Sequence, residues 1–495
     1  SLNDLYDPFL MQDMDKAIEI IKEGIKHGKK IAIYGDYDVD GVTSTVILYK
    51  ALKRCKGNFI YHIPNREDEG YGMNSERIKS LKEEGVDIIL SCDNGISAIE
   101  QVKLAKELGM KVIITDHHEL SFKEDENGER HYILPEADAV VNPKRGDCSY
   151  PFKMLCGAGI AFKFAQALYS VMNVNEDEIY ELLQYAAIGT ICDVVDLVDE
   201  NRIIAKNGLK ILKNTENLGL KALIKETNIE GKDLNSYHIG YIIGPCINAT
   251  GRLETAKLSV ELLLAEDERT AEDLASKLHK LNVERQEMTI KGVEDIEEII
   301  ENTPLKNDKV FVIYKEDIHE SIAGIVAGKI KEKYNVPTIV LTRGKDMPKG
   351  SGRSIEGYNM FEELLKCKDL LEKFGGHPMA AGLSLKEENI PMLRKSLNQQ
   401  CKLKKEDMIP KISIDKRLQL REISTDLVKN LKILEPFGKG NPSPLFAEKN
   451  VMVDRISILG KDRNTIKFSL RIGNSFNKIY GLCFGRGKEF EEELK

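Results

Sequence analysis

The sequence lacks the features that mark membrane, secreted and zinc-ribbon proteins. No apolar run approaches the roughly 20 residues that a membrane helix needs, and the N-terminus shows no secretory signal. Nine cysteines are present, but no two form a CxxC pair or follow a regular spacing. Internal repeats and low-complexity tracts are also absent. We therefore expect no membrane segment and no disulfide framework, which favours a cytoplasmic protein.

The chain also lacks the positive net charge that is common among nucleic-acid-binding proteins. Its formal charge is −8, but this charge is unevenly distributed. Residues 401–495 carry 20 Lys and Arg against 13 Asp and Glu, a net of +7, whereas the other 400 residues carry 52 against 67, a net of −15. A basic part on an acidic body is typical of a binding module attached to a metal-carboxylate enzyme, although a solvated surface gives the same count.

The chain of 495 residues is long enough for three or four globular domains. Its first third alternates apolar runs with helix-period segments. The runs are 29–35, 59–64, 87–93 and 111–118, and the helical segments between them are 43–57, 74–85 and 97–109. This βαβ pattern predicts an α/β fold with a parallel sheet covered by helices on both faces.

The rest of the chain changes pattern twice. Residues 156–213 are mostly of helical period, and a charged helical stretch over 264–302 predicts a long connector between two lobes. A second α/β unit begins near residue 309, and short strands without helices begin near residue 411. Such strands favour a small β-barrel of the OB type. The sequence leaves open whether the natural chain extends beyond residues 1 and 495.

Acidic and imidazole residues follow three of the first four apolar runs. They are Asp36, Asp38 and Asp40 in GDYDVDG, Asp93 in SCDNG, and Asp116, His117 and His118 in TDHHE, with Asp193 and Asp196 later in ICDVVDL. Ligands of open α/β sheets bind at the carboxyl ends of the strands, so we expect these groups to converge. An Asp-rich loop alone is often only a turn or a helix cap, but two adjacent histidines at a strand end are poor core residues.

Carboxylates at that density need a compensating cation, because like charges a few ångströms apart do not all stay ionised. Carboxylates mixed with imidazoles favour Mn²⁺, Mg²⁺ or another hard divalent ion over a thiolate-type zinc site. One carboxylate that bridges two ions is the usual arrangement of two-metal phosphoesterases. We therefore predict two divalent metal ions, Mn²⁺ first and Mg²⁺ as the alternative.

The four motifs GDYDVDG, SCDNG, TDHHE and ICDVVDL resemble those of the DHH phosphoesterase family. The segments HESIAGIVAGKI, GSGRS and FGGHPMAAGLSL resemble the DHH-associated second domain, and EPFGKGNPSPLF, PNREDEGYG and NATGRLETA resemble the RecJ branch of the family. The resemblance implies four regions. They are a DHH catalytic domain at 1–213, a helical connector at 214–305, a DHH-associated substrate-binding domain at 306–400 and an OB-like nucleic-acid-binding domain at 401–495.

The resemblance also implies roles for individual residues. Asp38, Asp40, Asp93, His117 and Asp193 match the metal-binding positions, and Asp93 would bridge the two ions. His118 matches a residue that faces the scissile phosphate, and Asp36 would ligate or orient the loop. Asp116 is expected to support His117, because ligating imidazoles usually donate their other N–H group. Asp196 is as consistent with a helix cap and is left out of the site.

Substrate contacts are expected from two further sets of residues. Arg353 and Ser354 follow two glycines, and His377 follows two more, so backbone N–H groups and a guanidinium can approach a phosphate there. Arg66 and Arg252 lie in polar, glycine-containing segments and are candidates for binding a 5′-phosphate, with a surface arginine as the alternative in each case. Tyr71 is a candidate for stacking on a base, with packing as its alternative.

The function that this resemblance implies is 5′→3′ degradation of single-stranded DNA to 5′-mononucleotides, in DNA recombination and repair. The implied partners are single-stranded DNA, a single-stranded-DNA-binding protein and a RecQ-type helicase, with the enzyme acting as a monomer. Two alternatives stay open. One is a DHH phosphodiesterase for short RNA or cyclic dinucleotides, and the other is a catalytically inactive replication scaffold.

Overall fold

The computed structural model describes residues 1–66, 69–70, 72–124, 130–472, 478–485, 487 and 490. The chain divides into two compact units, of which the first comprises Ser1–Pro410 with Gly438–Asn441 and the second comprises Lys411–Phe437 with Pro442–Lys495. All nine cysteines are free. Among the described helices, none combines the length and the apolar character of a membrane span.

The first unit begins with an α/β domain. Its strands are β1 Lys30–Tyr34, β2 Asn58–His62, β3 Ile88–Cys92, β4 Lys111–Thr115, β5 Ser121–Glu124, β6 Arg130–Ile133 and β7 Ala139–Val141. Its first helices are α1 Met14–Lys26, α2 Val39–Arg54, α3 Ser75–Glu83, α4 Ile99–Glu107 and α5 Gly157–Val171. Five strands form one parallel sheet in the order β2-β1-β3-β4-β7, and β5 and β6 form a separate hairpin.

Helices cover both faces of this sheet, as the alternating pattern predicts. Within β1, Ile31 and Ile33 pack into a core with α1, α2 and α5, whereas Ala32 and Tyr34 pack into a second core with α3 and α4. Successive side chains of a strand point to opposite faces, so a strand that is apolar throughout is buried on both sides. The predicted doubly covered parallel sheet is confirmed.

Helices fill the middle of the chain. They are α6 Leu183–Cys192, α7 Asp199–Lys213, α8 Leu218–Glu226, α9 Ser236–His238, α10 Gly244–Leu253, α11 Lys257–Leu263 and α12 Glu268–Asn302, with a π-helical turn at Ile239–Ile243. The predicted long helix is α12, whose 35 residues span about 52 Å. It packs on α8, α10 and α11 at one end and on α13, Ala323–Tyr334, at the other. It therefore joins two α/β lobes.

The second lobe is built on a mixed sheet. Its strands are β8 Phe311–Tyr314, β9 Thr338–Thr342, β10 Lys349–Arg353, β11 Lys373–His377 and β12 Ala380–Ser384, in the order β11-β12-β10-β9-β8. Only β8 and β9 run parallel. The helices α13, α14 Met360–Leu365 and α15 Ile390–Gln400 cover its two faces.

The second unit contains short strands, as predicted. They are β13 Lys416–Arg417, β14 Phe446–Ala447, β15 Met452–Leu459, β16 Thr465–Arg471 and β17 Lys478–Phe484, and the described part of the unit also contains the helix α16 Thr425–Leu431. The last three strands form an antiparallel meander. The segment 411–420, which the sequence pattern assigns to a full strand, has strand geometry only at β13.

Candidate metal centre and substrate site

Acidic and imidazole side chains meet at the carboxyl end of the parallel sheet. Asp36 and Asp38 follow β1, Asp93 follows β3, and residues 116–118 follow β4. Asp193 caps the C-terminus of α6 and adds a further carboxylate. The sheet order places β1, β3 and β4 side by side, and α6 adds Asp193, so residues separated by more than 150 positions share one crevice.

The ligand atoms of these residues form three overlapping groups, each with its atoms within 4.8 Å of one another. The groups are Asp36, Asp38 and Asp93; Asp40, His117 and Asp193; and Asp93, His117 and His118. His117 Nε2 lies 3.1 Å from Asp93 Oδ1, 3.6 Å from Asp40 Oδ2 and 3.8 Å from Asp193 Oδ2. Because Asp93 and His117 each belong to two groups, the set is one continuous cluster.

The turn after β3 places the Asp93 carboxylate. Asp93 has a φ of +61°, in the left-handed region that Asp tolerates better than most residues. The Asn94 amide donates to the carbonyls of Tyr34, Gly35 and Cys92, which ties the ends of β1 and β3 together. These contacts hold Asp93 at the boundary between the two neighbouring ligand groups.

The N-terminus of α5 binds the Asp40 carboxylate. The backbone N–H groups of Gly157 and Ala158 donate to Asp40 Oδ2 and Oδ1 at 2.6 and 2.8 Å. The positive end of a helix dipole favours a carboxylate at this position. Gly157 also lies against Asp93, where an added Cβ would come within 2.6 Å of the aspartate side chain. A glycine here therefore lets α5 reach both acidic residues.

The cluster concentrates negative charge in a buried place. Burial and neighbouring carboxylates raise the pKa of Asp36 and Asp93 well above the ordinary range, and they raise the pKa of Asp193 to about 8. Burial raises the pKa of Asp40 as well. Burial lowers the pKa of His117 to about 4, so its imidazole is neutral and has a free lone pair at neutral pH. Without a cation, the carboxylates cannot all be ionised.

The donor set fits hard divalent ions. Within the described part of the chain, Asp36 Oδ1, Asp93 Oδ1 and His117 Nε2 are buried without a hydrogen-bond partner, and a buried polar atom of this kind needs a ligand. The nearby thiols of Cys92 and Cys156 are buried, which raises their pKa and keeps them protonated. Carboxylates and imidazole without thiolates match Mn²⁺ or Mg²⁺ better than a structural zinc site.

Asp116 supports His118 and the backbone rather than the imidazole of His117. Its Oδ1 accepts from His118 Nδ1 at 2.7 Å and from the backbone N–H of His117 at 2.7 Å, and its Oδ2 accepts from Ile96 N at 2.9 Å. Burial opposes the charge of Asp116, but these hydrogen bonds lower its pKa to about 2. Burial lowers the pKa of His118, but the hydrogen bond and the charge of Asp116 outweigh it and raise this pKa to about 9. Asp116 therefore does not accept from the His117 ring, as was expected, but from the His118 ring and from the backbone.

The three arginines predicted to bind substrate lie close to the N-terminus of α13 or to each other. Arg252 Nη1 donates to the Ser321 carbonyl at 2.6 Å, and Arg353 lies so close to Gly324 that an added Cβ there would meet its Nη2 at 2.7 Å. Both guanidinium groups therefore lie at the start of α13. Burial lowers the pKa of Arg252, and the charges of Arg66 and Arg285 add to this effect, so that the pKa falls to about 10. Grouped, partly buried guanidinium groups are suited to binding an anion.

The remaining substrate candidates are placed differently. Ser354 is only 1% exposed, and its hydroxyl donates to the Tyr358 carbonyl at 2.6 Å, so it stabilises the turn after β10. His377 is exposed at the end of the edge strand β11. Tyr71 lies outside the described residues. GSGRS is not an open loop, since 350–353 belong to β10, whose register pairs them with β9 and β12. The idea that its backbone N–H groups bind a phosphate is therefore wrong.

The sequence reasoning missed the fifth parallel strand and the residues that follow it. Asn142, just after β7, donates from its amide to the His118 carbonyl at 3.0 Å, and Lys144 follows two residues later. The signal was present, since ADAVVNPK is an apolar run that ends in polar residues, like the four runs before it. Its short length and the preceding polar stretch concealed it.

Family models match three parts of the chain. The DHH family N-terminal domain matches residues 30–190, the DHHA1 domain matches 307–403, and the RecJ OB domain matches 414–495. The single-stranded-DNA-specific exonuclease RecJ of Haemophilus influenzae is 32% identical over 493 residues, which cover 95% of this chain and 83% of that protein. The chain belongs to the RecJ family.

Two further RecJ proteins are similar along almost the whole chain. RecJ of Bacillus subtilis is 40% identical to this chain. The matched residues cover 98% of this chain and 60% of that protein. The crystal structure of Thermus thermophilus RecJ in complex with Mn²⁺ superposes with a TM-score of 0.79 and 27% identity, over 96% of this chain and 66% of that one. The chain thus spans less than two thirds of the length of each of these two relatives. The RecJ OB domain match confirms the predicted OB-type barrel.

Proposed function

We propose that the chain is a metal-dependent exonuclease that degrades single-stranded DNA from its 5′ end and releases 5′-mononucleotides. The observation that carries this proposal is the cluster of five carboxylates and two imidazoles in which Asp93 and His117 are each shared between two ligand groups. RecJ family membership supports the choice of substrate, because the relatives from B. subtilis and H. influenzae are named as single-stranded-DNA-specific exonucleases.

The proposed metal ligands are Asp38, Asp40, Asp93, His117 and Asp193, with Asp36 as a further ligand or an orienting residue. Two divalent ions, Mn²⁺ or Mg²⁺, would supply an activated water and charge stabilisation for in-line displacement at phosphorus. The N-terminus of α5 and the Asn94 amide hold these ligands in position. The Mn²⁺ complex of T. thermophilus RecJ supports this choice of ion.

His118 is proposed to act on the scissile phosphate. It is the more exposed of the two adjacent histidines, and its ring is fixed by the hydrogen bond from Nδ1 to Asp116. The Asp116 carboxylate favours the imidazolium form of His118, and a cationic ring suits contact with a phosphate oxygen. The same charge offsets the negative charge that builds up on the phosphate oxygens during displacement.

The 5′ terminus is proposed to bind at the start of α13. Arg252 and Arg353 both lie there, and Arg66 adds a third guanidinium near Arg252, stacked over the Tyr37 ring at 5.5 Å. Two or three guanidinium groups beside a helix N-terminus favour a dianionic terminal phosphate over a phosphodiester. His377 and Tyr71 remain candidates for further contacts, and Ser354 is retained as a residue that shapes the turn. We further propose that the OB domain binds the incoming strand by stacking and phosphate contacts.

The test is digestion of end-labelled single-stranded DNA, with and without a 5′-phosphate, in the presence of Mn²⁺ or EDTA. We expect mononucleotides to be released from the 5′ end with Mn²⁺ only, faster from the phosphorylated strand. Asp93→Ala should abolish cleavage. The matched control is Asp138→Asn, because Asp138 accepts hydrogen bonds at the opposite end of β4, from Val112 N and Lys106 Nζ.

Other outcomes identify the rival functions. A phosphodiesterase for short RNA or cyclic dinucleotides would cut a dinucleotide far faster than a long strand. A replication scaffold would bind single-stranded DNA with Mn²⁺ and never cut it. Cleavage that survives Asp93→Ala would contradict the assigned site. Action as a monomer, in recombination and repair, with a single-stranded-DNA-binding protein and a RecQ-type helicase, is proposed from family membership alone.

A further inference from the structure

A cavity of about 640 Å³ opens beside the metal centre. His117 belongs to its wall, so the cavity is continuous with the cluster of metal ligands. Its charged lining consists of Lys144, Arg145, Lys153 and Lys439 against Glu119 and Asp196. A volume of this size accommodates a nucleotide unit, and the excess of cations favours an anionic group.

Sheet order gives the cavity its position relative to the proposed 5′ end. Arg66 comes after β2 at one edge of the parallel sheet, and Lys144 comes after β7 at the other edge. Four strand spacings separate these edges, which is about 19 Å. Asp93 and His117 follow the strands between them. A strand that begins near Arg66 and crosses the metal ligands therefore continues toward Lys144.

Lys144 and Lys439 are held less tightly than the other cations of the cavity. Lys144 pairs with Glu119 at 2.9 Å, but Glu119 is 83% exposed, so the pair contributes little and opens easily. Lys439 lies 3.6 Å from Asp196, and its backbone carbonyl accepts from Leu197 N at 2.7 Å, which holds its segment in the wall. Lys153 Nζ donates to the Cys148 carbonyl at 2.6 Å.

Arg145 is not available in the same way. Its Nη1 lies 2.7 Å from Asp13 and its Nη2 lies 2.6 Å from Asp147, so its charge is already compensated. The remaining wall is apolar and includes Met154 and Val195. A mixture of apolar surface and lysines suits a sugar with its phosphate better than a free inorganic anion.

We propose that this cavity binds the nucleotide on the 3′ side of the scissile bond, with Lys144 and Lys439 on the phosphodiester that follows the scissile one. The proposal rests on the proposed exonuclease function and adds a second anchoring point to it. One anchor lies upstream of the reacting phosphate and the other lies downstream. The scissile phosphate is then fixed between them over the metal ligands, which is the positioning that phosphoryl transfer requires.

Substrates of different length distinguish binding of the downstream phosphate from a general effect on catalysis. A 5′-phosphorylated dinucleotide has a scissile phosphate but no phosphate after it, whereas a trinucleotide has one. For Lys144→Ala with Lys439→Ala, we expect the KM of the first cleavage to rise about tenfold for the trinucleotide and for a 12-mer, with kcat nearly unchanged. The dinucleotide should show no such rise. The dependence of log KM on log salt should become shallower by about 0.7 for each lysine that contacts a phosphate.

Lys50→Ala is the matched control. Its side-chain exposure, 28%, is close to the 27% of Lys144, and it also pairs with an exposed glutamate, Glu181, at 3.1 Å. We expect wild-type KM values from it on every substrate. The Mn²⁺-induced rise in melting temperature serves as a second readout, and it should be the same in wild type, the control and the double variant.

The possible results lead to different conclusions. Unchanged KM values on the trinucleotide and 12-mer, with wild-type cleavage intact, would overturn the cavity proposal and leave the exonuclease function standing. An equal loss on the dinucleotide would also overturn it, because the lysines would then act through the metal centre. Failure of the wild-type protein to cut any strand with Mn²⁺ would overturn the exonuclease function, and the cavity proposal with it.

Discussion

Replacing Asp93 by Asn should stabilise the metal-free protein and abolish its stabilisation by Mn²⁺. Asp93 lies within 4.8 Å of the ligand oxygens of Asp36 and Asp38. Two unit charges at that distance repel by about 3.5 kcal/mol at an effective dielectric constant of 20. Protonation relieves part of this repulsion, so we expect a gain of about 1–2 kcal/mol in EDTA for the variant.

The effect of the metal follows from mass action. Mn²⁺ at 100 times its dissociation constant stabilises the folded state by about 2.7 kcal/mol. The first unit, residues 1–410 with 438–441, has an unfolding entropy of roughly 0.9 kcal/mol per kelvin near its melting temperature. The expected rise in melting temperature is therefore about 3 °C for wild type and near zero for Asp93→Asn.

The assay is thermal unfolding followed by dye fluorescence or calorimetry, in EDTA and in a Mn²⁺ titration. Asp138→Asn is the control and should show the full wild-type shift, because Asp138 lies at the opposite end of β4 from the cluster. A normal Mn²⁺ shift in Asp93→Asn would refute the reasoning. A variant less stable than wild type in EDTA would show that Asp93 contributes to folding in ways that like-charge repulsion does not describe.

Three more predictions concern packing and charge. Lys163→Met should lower the free energy of unfolding by about 3–5 kcal/mol in urea titrations, because it leaves the buried Glu200 carboxylate without its cationic partner at 2.6 Å; Lys163→Met with Glu200→Gln should recover much of the loss. Gly157→Ala should remove the Mn²⁺ shift with little change in circular dichroism, since the new methyl group would meet Asp93. Asp13→Asn should cost stability above about pH 4 and progressively less below it. Lysine, arginine and backbone donors outweigh burial and lower the pKa of Asp13, so its stabilising effect is lost as acid protonates it; urea titrations from pH 2 to 7 measure this.

The residues of the candidate metal centre were predictable because their positions follow from two local rules. Apolar runs that alternate with helices predict a parallel sheet, and parallel strands bring their carboxyl ends to one edge. Asp36, Asp93 and His117 could therefore be placed together without any distance information. Sequence alone could not find the Asp40 contact with Gly157, because that contact depends on how α5 packs against α2, which is a tertiary property.

The glycine-rich segments show where the local rules failed. GSGRS has the composition of a loop, yet it forms β10, because neighbouring side chains fill the space above its glycines. An added Cβ at Gly350 would meet Leu341 at 2.6 Å, and one at Gly352 would meet Met360 at 3.2 Å. These glycines permit close packing rather than an open backbone. Arg353 still reaches the start of α13, but Ser354 is turned inward, and only the packed structure distinguishes the two.

The negative net charge also becomes understandable once the site is considered. Five of the carboxylates that contribute to it lie in the cluster, where two divalent ions would cancel four charges and change the formal total from −8 to −4. The acidic body therefore repels a nucleic acid less when it is loaded with metal than the sequence count implies, and the reduction is concentrated at the site itself. Binding of metal and binding of DNA should consequently be coupled: each ion that enters lowers the cost of bringing a phosphate to Asp93, and each phosphate strengthens the hold on the ions.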